Sequence, residues 1–123
     1  MKLEDIIIEK EWGLEITTPL GFKLDDTNFV RIISYILRKC KELGKQCLLL
    51  DLSAIERQVS PDKLYKTIPL TEKIIGMGMK IAVIKPDYVN DQTSINLESF
   101  SYQKRIYIEY FSDKNDALEW LIA

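Results

Sequence analysis

The chain contains no histidine. That excludes a histidine-based triad, a histidine metal site and a histidine proton shuttle. Its two cysteines, Cys40 and Cys47, are too few for a disulfide framework or a four-thiolate zinc site. Five glycines and four prolines are few enough that nearly all can serve as boundaries between periodic segments, and no linker or low-complexity stretch stands out. No apolar run approaches the roughly 18–20 residues that cross a bilayer, so no membrane span is expected. The opening Met1-Lys2-Leu3-Glu4-Asp5 sets acids ahead of a short apolar run, Ile6-Ile7-Ile8, unlike a secretory leader. A cytoplasmic location with reduced thiols is therefore expected. Net charge is only −2, which gives no electrostatic reason for a nucleic-acid partner. Neither a Walker lysine motif nor a Gly-x-Ser-x-Gly elbow is present.

What is present suits one soluble domain. At 123 residues the chain should bury roughly two thirds of its unfolded surface, enough for one core over residues 1–123. Leu3 to Glu9 and Trp12 to Thr18 are β-rich, and in the second Trp12, Leu14 and Ile16 alternate with Gly13, Glu15 and Thr17. That period of two predicts an N-terminal antiparallel pair. Asp25-Asp26-Thr27 offers helix caps, and Phe29, Ile33, Ile36, Cys40 and Leu43 follow at spacings of 4, 3, 4 and 3. This is the inner stripe of an amphipathic helix that Gly44 closes. Arg31, Arg38, Lys39, Lys41 and Lys45 make its exterior basic, which the helix dipole and solvation explain, with an acidic partner or a membrane headgroup as the alternative.

Cys47-Leu48-Leu49-Leu50-Asp51-Leu52 and Lys80-Ile81-Ala82-Val83-Ile84-Lys85 are short apolar runs of the kind buried on both faces of a parallel sheet. Arg105 to Phe111 is a third strand. Ser60-Pro61-Asp62 starts a helix carrying Leu64, Ile68, Ile74 and Ile75, which Pro69 should kink or split. Asn90-Asp91 opens a Ser-, Thr- and Asn-rich helix carrying Ile95, Leu97 and Phe100, and Ser112-Asp113 opens a last one with Ala117, Leu118, Trp120 and Leu121 as its buried edge. The order ββαβαβαβα implies an α/β fold: a mostly parallel sheet with right-handed crossovers, an antiparallel pair at its start, and four helices.

That order, with two motifs, resembles the STAS domain, the family of anti-sigma factor antagonists and of the cytoplasmic tails of sulfate transporters. Leu48-Leu49-Leu50-Asp51-Leu52-Ser53 is a strand ending in Asp-Leu-Ser, as in many STAS chains. Phe111-Ser112-Asp113 followed by Ala117-Leu118-Glu119-Trp120-Leu121 is similar to the stand-alone bacterial SpoIIAA-like branch, which is also grouped with lipid-transfer folds. The resemblance implies a regulatory or protein-interaction module; the residues name no nucleophile–base pair, so neither catalysis nor a cofactor is expected. The resemblance also implies a phosphoacceptor ahead of the helix after the third strand, where this chain has no Asp-Ser pair and no glycine and offers only Ser60.

Ser60 is thus either a helix cap or a phosphosite. Asp51, Ser53, Asp87 and Tyr88 fall at or just beyond the C-terminal ends of two predicted parallel strands, where open α/β sheets collect ligands. A polar ligand or a hard cation could sit there, or these residues could simply form turns. The pair Thr17-Thr18 stands where a phosphoreceiver would need acids. Gly76-Met77-Gly78-Met79 follows a helix and precedes a strand, the reverse of a dinucleotide loop. The apolar stretch from Leu64 to Met79 is expected to be mostly core, with Leu70, Met77 and Met79 at an apolar pocket or interface. The expected partners are an unidentified protein, a second copy in a homodimer, or, as the alternative function, a small apolar ligand such as a lipid carried by the domain.

Overall fold

The computed structural model describes residues 3–18, 24–54, 59–86 and 89–123. Among them a 3₁₀ turn (Leu3–Ile6) leads into β1 (Ile7–Lys10) and β2 (Gly13–Thr17). There follow α1 (Phe29–Glu42), β3 (Cys47–Asp51), α2 (Pro61–Ile74), β4 (Lys80–Ile84), α3 (Asp91–Gln103), β5 (Tyr107–Phe111) and α4 (Lys114–Ile122). The sheet order is β1-β2-β3-β4-β5, antiparallel between β1 and β2 and parallel from there on. The expected α/β order is the observed one.

Alternation along the strands divides two hydrophobic layers. Leu14 and Ile16, Leu48 and Leu50, Ile81 and Val83, and Ile108 face one side, packed with Phe29, Ile33, Ile36 and Cys40 of α1, Leu64 and Ile68 of α2, and Leu97 of α3. Leu49, Ala82 and Ile84 face the other side and meet Ala117 and Leu121 of α4. Three crossovers in one direction put α1, α2 and α3 on one face, and the last helix folds back over β3, β4 and β5. Lys80 fastens it: its Nζ donates to the Trp120 carbonyl at 2.8 Å and lies 4.7 Å from the Trp120 ring centroid, at the negative end of the helix. Gly13 is required by contact, because a Cβ there would lie 2.1 Å from the Cys47 carbonyl oxygen.

Local expectations need correction. The N-terminal run pairs only from Ile7, which meets Ile16; Leu3–Ile6 coils instead, and Trp12 sits in the hairpin turn. The N-cap of α1 is Asn28, because Asp25 spends its carboxylate on Thr27, accepting from its N–H at 2.9 Å and its hydroxyl at 2.6 Å. Gly44 closes α1 as expected: at φ +68° its N–H reaches the Lys41 carbonyl while that of Lys45 reaches Cys40. α3 ends by the same double bond, Arg105 to Tyr102 and Ile106 to Ser101, but with Arg105 in the left-handed region at φ 59°, so β5 starts at Tyr107 rather than Arg105. Pro69 does not split α2, which runs unbroken from Pro61 to Ile74.

The buried residues of α3 are Ser94, Leu97 and Ser101, whereas Ile95 is 52 % and Phe100 38 % exposed. The outer side of β5 explains the turn of the helix. The Ile108 N–H donates to the Ser101 hydroxyl at 3.2 Å and the Tyr110 N–H to the Glu98 carboxylate at 2.8 Å. Polar side chains thus face the strand to satisfy donors that have no further strand to pair with.

Candidate functional site

Parallel register brings Thr17, Asp51, Ile84 and Phe111 level with one another at the C-terminal edge of the sheet. The first residues of all four helices return toward the same edge, so every polar group singled out there can be compared directly.

Asp51 and Ser53 are together and are occupied with each other. The Asp51 carboxylate accepts from the Ser53 N–H at 3.1 Å and its hydroxyl at 2.6 Å, and the Asp51 carbonyl accepts from the Thr18 hydroxyl at 2.9 Å. This is a side-chain-closed turn leading out of β3. Asp87 and Tyr88 lie outside the described residues. Ser60 stands at the N-cap position of α2 with extended backbone, φ −66° and ψ 152°, but its hydroxyl makes no capping bond. The tie is made from another loop: the Ser60 N–H donates to the Asp26 carboxylate at 2.7 Å. Asp26, expected as a cap for α1, instead serves the start of α2, 34 residues away, and only the fold brings the two together.

The remaining edge groups are also engaged. Asn90 accepts from the Thr93 N–H at 2.8 Å and Asp113 from the Asp116 N–H at 3.1 Å, each capping its own helix. Lys85 binds Asp91 at 2.8 Å, and that lysine holds the Asp91 carboxyl below the usual carboxylate range. Lys114 reaches the buried Glu15 at 3.1 Å, joining α4 to β2. Among the described residues no group of three or more metal-capable side chains exists. Away from the edge, Cys40 is fully buried, and burial pushes its thiol up to about 12, the mark of a core thiol rather than a nucleophile.

The three apolar candidates do not form one patch. Met79 is wholly buried and belongs to the core, so it is not available to a pocket or a partner. Leu70 packs partly buried against the same core, and only Met77, at 63 % exposure in the turn before β4, is open to solvent. Exposed apolar side chains stand instead on α3, on its two flanks: Phe100 on the side of α2, where it meets Tyr65, and Ile95 and Tyr102 on the other, where Tyr102 meets Tyr107. Phe100 stands edge-on to Tyr65 of α2, ring centroids 6.0 Å apart, above a cavity of about 160 Å³ lined by Ile68, Pro69, Phe100, Glu72 and Lys104. The signal that could have found it is the outer row of α3, Gln92, Asn96, Ser99 and Gln103, which carries no charge at spacings of 4, 3 and 4.

Among the described residues no helix is long and apolar enough to cross a membrane. A scan against protein-family models matches none, and a search of curated proteins finds no match.

Proposed function

We propose that the chain is a regulatory or protein-interaction module of the STAS-like type, without catalysis of its own, working in the cytoplasm. The observation that carries this reading is the exposed apolar set of α3. A helix that turns serines inward leaves Ile95, Phe100 and Tyr102 in solvent at 52 %, 38 % and 42 % exposure. Aromatic and aliphatic side chains on a charge-poor surface are what protein partners cover. The carrier alternative finds less support: the cavity of about 160 Å³ beside Phe100 falls short of the roughly 300–1,000 Å³ of ligand pockets, and the larger hollow of about 610 Å³ along α4, lined by Asn115, Leu118, Glu119, Ile122 and Ala123, is an open surface dish that would not enclose an apolar ligand.

Ser60 supplies a place where modification would act on such a module. A phosphoryl group there would set between one and two further negative charges, about −1.5 to −2 at neutral pH, beside the Asp26 carboxylate that now binds the Ser60 N–H. Repulsion would break the tie between the lead-in to α1 and the start of α2.

The test is photocrosslinking in producing cells with benzoylphenylalanine in place of Ile95 or Phe100. The expected product is a crosslinked protein of discrete mass. No protein adduct at either site, together with a small molecule retained in native mass spectrometry, would overturn the reading in favour of the carrier.

A further inference from the structure

The groove between α2 and α3 has two walls of different character. From α2, Tyr65, Pro69 and Glu72 follow one another at spacings of 4 and 3, so they share the flank that meets α3. From α3 come Phe100 and Lys104, one turn apart. Ile68 forms the floor. Pro69 keeps the α2 wall low and apolar, and it has no N–H to give to the Tyr65 carbonyl.

Two features indicate a surface that is covered. The crest of α3 beside the groove, Gln92, Asn96, Ser99 and Gln103, is exposed and uncharged, whereas the exposed positions of α1 include Arg31, Arg38, Lys41 and Glu42. Interface cores are depleted of charge and enriched in aromatic residues. The groove's own charges have opposite signs and stand on opposite walls, Glu72 on α2 and Lys104 on α3. Neither forms an ion pair with another described residue.

We propose that this groove is the contact surface of a symmetric dimer of the chain, a proposal that rests on reading the protein as an interaction module. A two-fold axis along the groove lays the α2 wall of one copy on the α3 wall of the other. Glu72 then faces Lys104 of the second copy, and the pair forms twice. The two Phe100 rings meet near the axis, where aromatic anchors contribute most. An unrelated partner would need its own matched charges; a second copy brings them by symmetry. Helices of 13 and 14 residues are about 20 Å long, and side by side they make a face about 20 Å wide. Such a face is about 400 Å² per copy in projection, or about 800 Å² for the pair, which is the small, transient end of specific interfaces and so implies a weak rather than permanent dimer.

Sedimentation equilibrium between about 5 and 500 µM tests it, a range set around the weak association of small interfaces. The average mass should climb from 14.3 kDa toward twice that value. Phe100→Lys should weaken association at least about tenfold. Glu72→Lys and Lys104→Glu should each weaken it about tenfold by opposing like charges, and the double variant Glu72→Lys/Lys104→Glu should recover to within about threefold of the parent. Glu72 and Lys104 are exposed, so these variants fold, and circular dichroism checks the Phe100 variant. A monomer across the whole range overturns the dimer, as does a dimer indifferent to all four variants or a double variant no better than the singles. If the chain stays monomeric while position 100 crosslinks to another protein, the dimer fails and the interaction module stands. If neither occurs, both fail.

Discussion

Ser101 is the residue on which the packing of α3 can be tested most directly. It is fully buried; its hydroxyl donates to the Glu98 carbonyl at 2.8 Å and accepts from the Ile108 N–H at 3.2 Å. Ile108 belongs to β5, the last strand of the sheet, so this N–H has no neighbouring strand to pair with. Ser101→Ala removes one oxygen and leaves that donor unsatisfied in a buried place, a cost of about 1–3 kcal/mol. The better helix propensity of alanine returns about 0.5 kcal/mol. A net loss of about 1–2 kcal/mol is expected, a fall in Tm of roughly 4–8 °C for a domain of this size. Urea denaturation should show the midpoint falling at unchanged m. Ser99→Ala, on the same helix but exposed, is the control and should be neutral or slightly stabilising. Should Ser101→Ala prove as stable as Ser99→Ala, the hydroxyl does not serve the strand edge and the account of why α3 buries serines is wrong.

Other expectations follow from the same bonding. Ser60→Ala should shift stability by less than about 0.5 kcal/mol because the hydroxyl caps nothing, whereas Asp26→Ala should cost about 1 kcal/mol through loss of the Ser60 N–H acceptor; chemical denaturation compares the two, and a larger loss in the serine variant contradicts the geometry. Arg105→Gly should raise stability by about 1 kcal/mol, since φ 59° strains any residue with a Cβ, and a lower Tm would show that the arginine side chain carries weight there. Glu98 has its carboxyl raised above the ordinary glutamate value, chiefly by burial, against the Tyr110 N–H that lowers it. The folded state therefore holds this proton more tightly than the unfolded one, and stability from this group is lost as pH rises through that window. Glu98→Gln keeps an acceptor without the charge, so it should match or exceed the parent at pH 7, with the difference vanishing in acid below the ordinary glutamate value; a variant less stable at pH 7 sinks this reading.

The elements legible in the sequence are those whose partner is the main core. α1 repeats its apolar positions at helical spacing, and the observed buried set includes Phe29, Ile33, Ile36 and Cys40 as expected, whereas Leu43, the last of the expected stripe, is exposed because the helix ends at Glu42 and Leu43 is its C-cap. The Leu48-Leu49-Leu50 and Ile81-Ala82-Val83 runs are buried on both faces because helices lie on both. Periodicity is no guide where another force sets the orientation. In α3 the apolar residues Ile95, Leu97 and Phe100 share no face at helical spacing, and of them only Leu97 is buried, because donors on the outer side of β5 draw Ser101 and Glu98 inward. Met79 is expected at a pocket or interface because the stretch from Leu64 holds more apolar side chains than one helical stripe can bury, yet it directly precedes β4 and enters the core with that strand. The Asp26–Ser60 contact and the pairing of Tyr65 with Phe100 join residues 34 and 35 positions apart, which no local pattern encodes.

The strand order itself bears on where such a chain can bind. Open α/β sheets hold ligands in the crevice made where strand order reverses and neighbouring loops leave in opposite directions. Here chain order and sheet order coincide from β1 to β5, so the described sheet contains no such reversal. The starts of α2, α3 and α4, which could otherwise receive an anion, are met by Asp26, Asn90 and Asp113 of the chain itself. The broad exposed surfaces that remain among the described residues include the outer faces of the crossover helices. Of these, α1 is amphipathic in the ordinary way, with charge outside, and α2 buries its apolar side against α1 and the sheet. Only α3, which turns serines inward to close the sheet edge, has apolar side chains left over. The edge-closing serine and the exposed Phe100 are thus two consequences of one rotation of the helix. A substitution that lets α3 roll its apolar side inward should open the edge of β5 and remove the Phe100 surface together.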